Sequence, residues 1–153
     1  MAPRSPKYIE KWVNYLNSTD REMSCIAAQK LGETKDTSVV PELTKSLQNR
    51  PDEVRLAAVR ALGEIGAPAA VNFLIDILHD QDPIIASAAA DSLGAIGSEI
   101  AVPPLIQILS DYKNKSHHFQ VHGFNRGLFM SAIRALQRIG TPEARRAVVK
   151  YHR

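Results

Sequence analysis

A leucine-glycine dipeptide recurs in this chain at a constant interval, with its leucine at Leu31, Leu62 and Leu93. Apolar residues four and eight positions before each leucine continue the pattern, so each copy carries one apolar stripe at helical spacing. An internal period between about 20 and 50 residues indicates a repeat architecture, in which neighbouring units stack and share one core. The period therefore restricts the chain to a stack of short helical units.

A second apolar stripe follows each leucine-glycine pair, which makes each repeat a pair of helices. Its valines and leucines recur in the same register: Val40, Val71 and Val102; Leu43, Leu74 and Leu105; Leu47, Leu78 and Leu109. No run of the chain alternates apolar and polar residues as strands do. We predict an all-α fold, a short right-handed α-solenoid that forms a single domain over residues 1–153.

Partial copies flank the three repeats. Shifting the second stripe back by one period reaches Ile9, Trp12 and Leu16, which predicts a lone N-terminal helix equivalent to half a repeat. The last copy follows after a longer step, so about 12 residues are inserted before it. The predicted units are a half-repeat at 6–18, repeats at 20–48, 52–79, 83–110 and 125–151, and an insertion at 111–124.

Residues typical of turns mark the predicted helix ends. Gly66, Gly97 and Gly140 follow first helices, where a left-handed C-terminal residue is usually glycine. Asp52 and Asp82 stand at the starts of two first helices and are predicted N-caps. Prolines lie at or near the starts of the second helices: Pro41, Pro68, Pro103 and Pro142.

The best-preserved copy, residues 53–66, reads Glu-Val-Arg-Leu-Ala-Ala-Val-Arg-Ala-Leu-Gly-Glu-Ile-Gly, and Ala69-Ala70-Val71 and Leu74 follow it. It resembles a HEAT-like repeat of the phycobilin-lyase type. The resemblance implies a solenoid of about four HEAT-like helix pairs. It also implies two kinds of relatives. Some are interaction modules that grip partner proteins; others help attach bilin chromophores to phycobiliproteins or take part in antenna degradation.

The insertion departs from the repeat, so it is a candidate for a function-specific element. Its aromatic residues Tyr112, Phe119 and Phe124 are predicted partner contacts, because aromatic residues dominate binding hot spots. The alternative is that the phenylalanines pin the insertion to the solenoid. Three histidines join these candidates: His117, His118 and His122. We assign no metal site, because no cysteine and no His-Glu-x-x-His pattern accompanies them.

The second helices are predicted to line the concave face. On them, Phe73 and Ile77 stand one turn apart where the preceding repeat has Glu42 and Ser46. The pair predicts either a small exposed apolar patch, which would mark an interface, or extra packing against a neighbouring helix. Polar candidates for partner contact on the second helices are Lys45, Asp76 and Gln107.

Charge is distributed unevenly along the chain. Residues 1–110 hold 10 Lys/Arg and 14 Asp/Glu, whereas residues 111–153 hold 9 Lys/Arg and 2 Asp/Glu. The basic patch predicted in the last third consists of Arg126, Arg134, Arg138, Arg145 and Arg146. It could attract an acidic protein or nucleic acid, or it could simply keep a terminal repeat soluble. The absence of a base-reading motif and the scarcity of aromatic residues disfavour nucleic acid.

The sequence contains no catalytic motif, and we predict neither an enzyme activity nor a cofactor. Its single cysteine, Cys25, excludes an internal disulfide and fits a reducing compartment, so we expect a cytoplasmic protein without a membrane span. The predicted function is a scaffold that binds a partner protein through its concave helices and insertion. We expect that partner to be an acidic protein or a phycobiliprotein. A role in phycobilin attachment or phycobilisome turnover and nucleic-acid binding are the alternatives, and the oligomeric state is open.

Overall fold

The structure is a computed structural model that describes residues 5–48, 50–116 and 126–151. Within these ranges all regular secondary structure is helical, as predicted. The α-helices are α1 (Pro6–Leu16), α2 (Arg21–Glu33), α3 (Val40–Lys45), α4 (Asp52–Ile65), α5 (Val71–Ile77), α6 (Pro83–Ile96), α7 (Val102–Ser116), α8 (Arg126–Ile139) and α9 (Pro142–Tyr151). The sequence period groups them as a lone α1 followed by four pairs, α2 with α3, α4 with α5, α6 with α7, and α8 with α9.

Three second helices begin with a short 3₁₀ turn, at Thr37–Val39, Pro68–Ala70 and Glu99–Ala101. Each turn runs directly into α3, α5 or α7. Proline suits such a start, because the first residues of a helix have no intrahelical partner for their N–H groups. The α-helical part that remains is short in two repeats, with 6 residues in α3 and 7 in α5.

The glycine predictions at the helix ends are confirmed. Gly66, Gly97 and Gly140 have φ angles of 75°, 75° and 68°, in the left-handed region where a side chain would be strained. Each N–H group bonds to a carbonyl four residues earlier and closes the last turn of the first helix. The chain can therefore reverse into the second helix within a few residues.

One predicted N-cap is confirmed and the other is wrong. The Asp82 carboxylate accepts a 2.8 Å hydrogen bond from the N–H of Ile84 at the start of α6. Asp52 is instead the first residue of α4, and Pro51 holds the cap position. The Asp52 side chain accepts a 2.8 Å hydrogen bond from Arg55, so it stabilises the first turn as a helical acid rather than as a cap.

The leucines of both stripes form one continuous core, as the period predicted. Leu31, Leu62 and Leu93 of the first helices are fully buried. The fully or almost fully buried leucines of the second helices are Leu43, Leu74, Leu78, Leu105 and Leu109. At the N-terminal end Leu16 of α1 is fully buried and Trp12 packs on the same core, so α1 covers the first pair.

The second helix of the third repeat extends into the predicted insertion. Helix α7 continues to Ser116, beyond the boundary at residue 110 expected for the third repeat. No proline or glycine interrupts the chain before Gly123, and the side chain of Gln107 donates a 2.8 Å hydrogen bond to Asp111 one turn later. Part of the predicted insertion is thus an extension of a repeat helix.

Candidate functional site

The first helices α4, α6 and α8 lie side by side and form one face of the solenoid. Their contacts are tight because small residues meet where the helices touch. A Cβ atom added to Gly32 of α2 would lie 2.9 Å from the Cα of Ala61, and one added to Gly63 would lie 2.8 Å from the Cα of Ser92. Ser92 also donates a buried 3.0 Å hydrogen bond to the carbonyl of Val59. The face is therefore held by backbone-to-backbone packing.

A groove of about 580 Å³ runs along this face, with α6 as its floor and α4 and α8 as its walls. The floor carries small or apolar side chains, among them Ile84, Ala88 and Ala95. Ile84 is 60% exposed, and Met130 on the α8 wall is 36% exposed. Large apolar side chains left open to water beside one another mark a contact surface more often than isolated ones do.

The apolar floor distinguishes the third repeat from the two before it. The position of Ile84 is occupied by Glu22 and Glu53 in the earlier repeats, and that of Ala95 by Glu33 and Glu64. Both positions lie on the solvent side of the first helices, so stability of the stack does not require an apolar residue there. Among the 14 residues of α6 the only charged side chain is Asp91.

Charged residues border the groove, and most of them are paired. Arg134 of α8 donates to both carboxylate oxygens of Asp91 at 3.0–3.2 Å, and the hydroxyl of Ser131 donates to Asp91 at 3.1 Å. Glu64 lies 3.5 Å from the ammonium group of Lys35. Arg60 on the α4 wall is exposed and has no ion-pair partner among the residues that the structure describes.

The groove was not predicted from the sequence. The sequence patterns indicated partner contacts on the second helices and in the insertion, whereas the groove lies on the first helices. The sequence nevertheless contained an indication of the groove. When the repeats are aligned, Ile84 and Ala95 replace glutamates at two positions on the solvent side of the first helix.

The two apolar residues of α5, for which the sequence predicted either an exposed patch or extra packing, do not behave alike. Phe73 is 46% exposed, but Ile77 is only partly exposed and packs on the core. Asp76 beside them is exposed. Phe73 therefore stands as a single exposed aromatic residue, and singly exposed apolar residues are common on protein surfaces.

Two polar candidates on the other second helices bond within their own helix. Lys45 forms a 2.6 Å ion pair with Glu42 on α3. Gln107 bonds to Asp111 on α7. Both side chains remain exposed, so a partner could still contact them.

The structure places Tyr112 on α7 and not in a loop. Its ring lies 4.4 Å from that of Phe129 on α8, measured between centroids, so it links the third and fourth pairs. The prediction of Tyr112 as a loop aromatic is therefore wrong in its location. The remaining candidates of the insertion lie outside the described residues: His117, His118, Phe119, His122 and Phe124. Among the described residues no group of three or more His, Cys, Asp or Glu side chains could hold a metal ion.

The predicted basic patch is divided by the structure. Arg134 is neutralised by Asp91 at the groove. Four other arginines are exposed on α8 and α9: Arg126, Arg138, Arg145 and Arg146. Two lysines flank an aromatic ring at the end of α9, with the Lys113 and Lys150 ammonium groups 5.5 Å and 5.0 Å from the centre of Tyr151. A hydrogen bond with Ser110 and the two lysines lower the pKa of the Tyr151 phenol.

Cys25 lies on α2, away from the groove, and its thiol is partly buried. Burial raises the pKa of this thiol, and the carboxylate of Glu53 raises it further, although Arg21 and Arg50 act in the opposite direction. Because the thiolate is the nucleophilic form, these surroundings do not favour a catalytic cysteine.

Comparison with known families identifies the repeats. A family model described as HEAT repeats matches the sequence over residues 9–86 and again over 43–116. The chain belongs to the HEAT-repeat family. The resemblance of the sequence to HEAT repeats is thus confirmed, and the overlapping matches together span residues 9–116, which include the first three repeats of this HEAT-repeat protein. No curated protein matches the sequence.

Solved structures show the same fold. The HEAT-repeat chain is similar to a structure of the complex of CpcE and CpcF of phycocyanin lyase from Nostoc sp. PCC7120, with a TM-score of 0.73 and 23% identity. The match covers 99% of this chain but only 66% of that one, slightly less than two thirds of its length. An engineered protein is similar with a TM-score of 0.60 and 25% identity, over 94% of this chain and 68% of that one. No helix in the described ranges is long and apolar enough to cross a bilayer.

Proposed function

We propose that this HEAT-repeat protein is a protein–protein interaction scaffold and that its partner lies in the groove formed by α4, α6 and α8. The observation that carries the proposal is the exposed apolar floor, where Ile84 is 60% exposed on a helix with a single charged residue. Burying such a side chain fully is worth about 1.5–3 kcal/mol. Small residues hold α6 closely against α4 and α8, so a partner would meet a surface that is already formed.

The insertion is a second part of the proposed contact surface. After the insertion, helix α8 begins at Arg126, and the next residue, Gly127, lines the groove. A partner seated in the groove would therefore lie beside the first residues of α8, which follow the insertion in the chain. Phe73 on α5 is the alternative contact, and it belongs to a different face from the groove.

Capture of partners from lysate of the native host tests the proposal. The full chain would be compared with Ile84→Glu/Ala95→Glu, with Phe73→Ala and with a chain that lacks residues 117–124. We expect a specific protein that the groove variant loses and Phe73→Ala retains. Loss on deletion of 117–124 alone would move the site to the insertion, and loss in Phe73→Ala alone would move it to the second helices. Failure of the intact chain to retain any specific protein would contradict the scaffold role.

An accessory role in phycobilin attachment or phycobilisome turnover is the second proposed function. It is favoured by the similarity to the structure of the CpcE and CpcF complex, which extends over 99% of this chain. At 23% identity that similarity supports the fold alone. The identity of the partner must therefore decide whether the chain has this role. A captured partner that carries a bilin, visible by its absorbance, would support this role. A colourless partner would leave a scaffold in some other process.

A further inference from the structure

We propose that the groove takes an amphipathic α-helix of the partner protein, with an apolar ridge along α6 and a carboxylate paired with Arg60. The proposal rests on the scaffold function and names the kind of segment that the groove binds. It follows from the shape of the groove, from the replacement of charged residues on its floor and from the charge left unpaired on its wall.

The shape of the groove suits a helix. Its floor is the solvent side of α6 from Ile84 to Ala95, about three turns or 16 Å at a rise of 1.5 Å per residue. Alanines at two of the floor positions allow a partner helix to approach α6 at a normal interaxial distance of about 8–10 Å. An amphipathic helix laid into such a groove presents residues at i, i+3 or i+4, and i+7.

The composition of the floor indicates an apolar ridge on that helix. In the first two repeats a glutamate stands at each end of the corresponding row of positions, and an apolar partner that covered these carboxylates would have to desolvate them at a cost in free energy. The third repeat has Ile84 and Ala95 at these ends, and Met130 extends the apolar surface onto α8. Of these three repeats, only the third has a first helix whose solvent side carries no charged residue at either of these two positions.

The walls of the groove supply one charge that has no ion-pair partner within the part of the chain that the structure describes. Asp91 neutralises Arg134, and Lys35 lies close to Glu64, so the charge open to a partner on the α4 side is that of Arg60. A guanidinium group binds a carboxylate with two parallel hydrogen bonds, which fixes position as well as charge. An acidic residue beside the apolar ridge would therefore set the direction in which the helix lies.

A second copy of this chain fits the groove less well. Two identical grooves placed face to face leave both floors unfilled, because neither presents a ridge. The terminal helix α9 could protrude into a neighbouring copy, but its exposed side carries Arg145, Arg146 and Lys150, which Arg60 would repel. Charge and shape together favour a different protein with an acidic helix.

Selection from a displayed library of helical peptides of about 20 residues, with the surface positions randomised, tests this inference on the purified full chain. We expect enriched peptides with apolar residues at i, i+3 or i+4, and i+7, and with Asp or Glu on one flank. Glutamate at positions 84 and 95 should weaken a selected peptide at least about tenfold, since a buried charge then faces the apolar ridge. Glutamate occupies the same register in α2 and α4, so these variants should fold.

A matched control is Ile100→Glu, which places the same charge at a 65% exposed isoleucine in the turn that precedes α7. It should leave peptide affinity within about twofold of that of the unchanged chain. Arg60→Glu should weaken the same peptide, and replacing the peptide's acidic residue by arginine should restore its binding to Arg60→Glu.

Three results would overturn the inference. Peptides that bind Ile84→Glu as well as the unchanged chain would place the helix site elsewhere. Enriched peptides without helical periodicity or without an acidic flank would reject the ligand class. If sedimentation showed that the chain forms a dimer and that Ile84→Glu dissociates it, the occupant of the groove would be a second copy of the chain. In each case a partner captured from lysate would still support the scaffold function, whereas the absence of any captured partner would contradict that function itself.

Discussion

Gly94 of α6 packs against Ala135 of α8 so closely that a Cβ atom at Gly94 would lie 2.6 Å from the Cα of Ala135. Because the obstructing atom belongs to the backbone, a rotamer change cannot relieve the contact. The same contact joins the third and fourth helix pairs on either side of the insertion. It therefore decides how α8, one wall of the groove, is placed on the floor.

Substitution of Gly94 by alanine tests this contact. Alanine is more stable than glycine in a helix interior by about 1 kcal/mol, whereas overpacking costs about 1–3 kcal/mol. We therefore expect a net loss of up to about 2 kcal/mol in the free energy of unfolding. Urea unfolding of Gly94→Ala measures it. Ala95→Ser, which adds one atom at the neighbouring exposed position, should change stability by less than about 0.5 kcal/mol. A Gly94→Ala chain more stable than the original would disprove the contact.

Leu93 tests the shared core. It is fully buried in the middle of the stack, so Leu93→Ala should lower the free energy of unfolding by about 2–5 kcal/mol through lost burial and the cavity that remains. Denaturant unfolding followed by circular dichroism gives the value. The control Ile100→Ala removes an apolar side chain that is 65% exposed and should have little effect. A loss below about 0.5 kcal/mol at Leu93 would show that the helix register is wrong.

Two ion pairs should differ in their contribution to stability: Asp80–Arg55, which ties the link after α5 to α4, and Asp91–Arg134, which joins α6 to α8. Asp80 and Arg55 are bonded and their side chains are only 8% and 19% exposed, whereas those of Asp91 and Arg134 are 41% and 54% exposed. Removing one member of a buried pair leaves an uncompensated buried charge, which lowers the free energy of unfolding by about 3–5 kcal/mol. An exposed pair contributes only about 0–1 kcal/mol to stability.

The matched substitutions are Asp80→Asn and Asp91→Asn, which remove the charge and keep the shape. We expect about 2–3 kcal/mol for Asp80→Asn, below the full cost because Arg55 also bonds to Asp52, and less than about 1 kcal/mol for Asp91→Asn. Thermal unfolding at low and high salt separates the two, since salt screens exposed pairs more strongly. Equal losses in both variants would contradict the burial of the Asp80–Arg55 pair.

The reactivity of Cys25 should reflect its raised pKa. Iodoacetamide reacts with the thiolate, so its rate with the folded chain should rise with pH through a midpoint above that of the urea-unfolded chain. Glu53→Gln should move this midpoint downward but not abolish the difference, because burial is the larger cause of the shift. The unfolded Glu53→Gln chain is the control. A folded midpoint below the unfolded one would reverse the assigned electrostatics.

Much of the fold could be read from the sequence because the decisive signals are local or periodic. The φ angle required after a first helix selects glycine at Gly66, Gly97 and Gly140 within a single turn. The buried leucines recur at a constant interval, since each unit meets its neighbours in the same way. The end of α7 was missed, because no local signal stops the helix where the repeat ends.

The candidate site was predicted less well. The pattern of α5 left open whether Phe73 and Ile77 would form an exposed patch or pack against a neighbouring helix. In the structure Phe73 is exposed and Ile77 packs on the core, which depends on the distance between neighbouring helices and not on the sequence context of either residue. Tyr112 similarly gained its position from a contact with Phe129, which lies on the next helix beyond the insertion.

The sequence by itself determined the helices, their pairing and the leucines that they bury, because helix periodicity and turn chemistry act over a few residues. Only the tertiary structure decided where a partner could bind. Whether Ile84 lies open, whether Arg134 is neutralised and whether Arg60 is left without a partner depend on side chains that approach from neighbouring repeats, about 30–40 residues away in the chain. The stacking of the repeats sets the distances between these side chains, and no local sequence pattern encodes those distances.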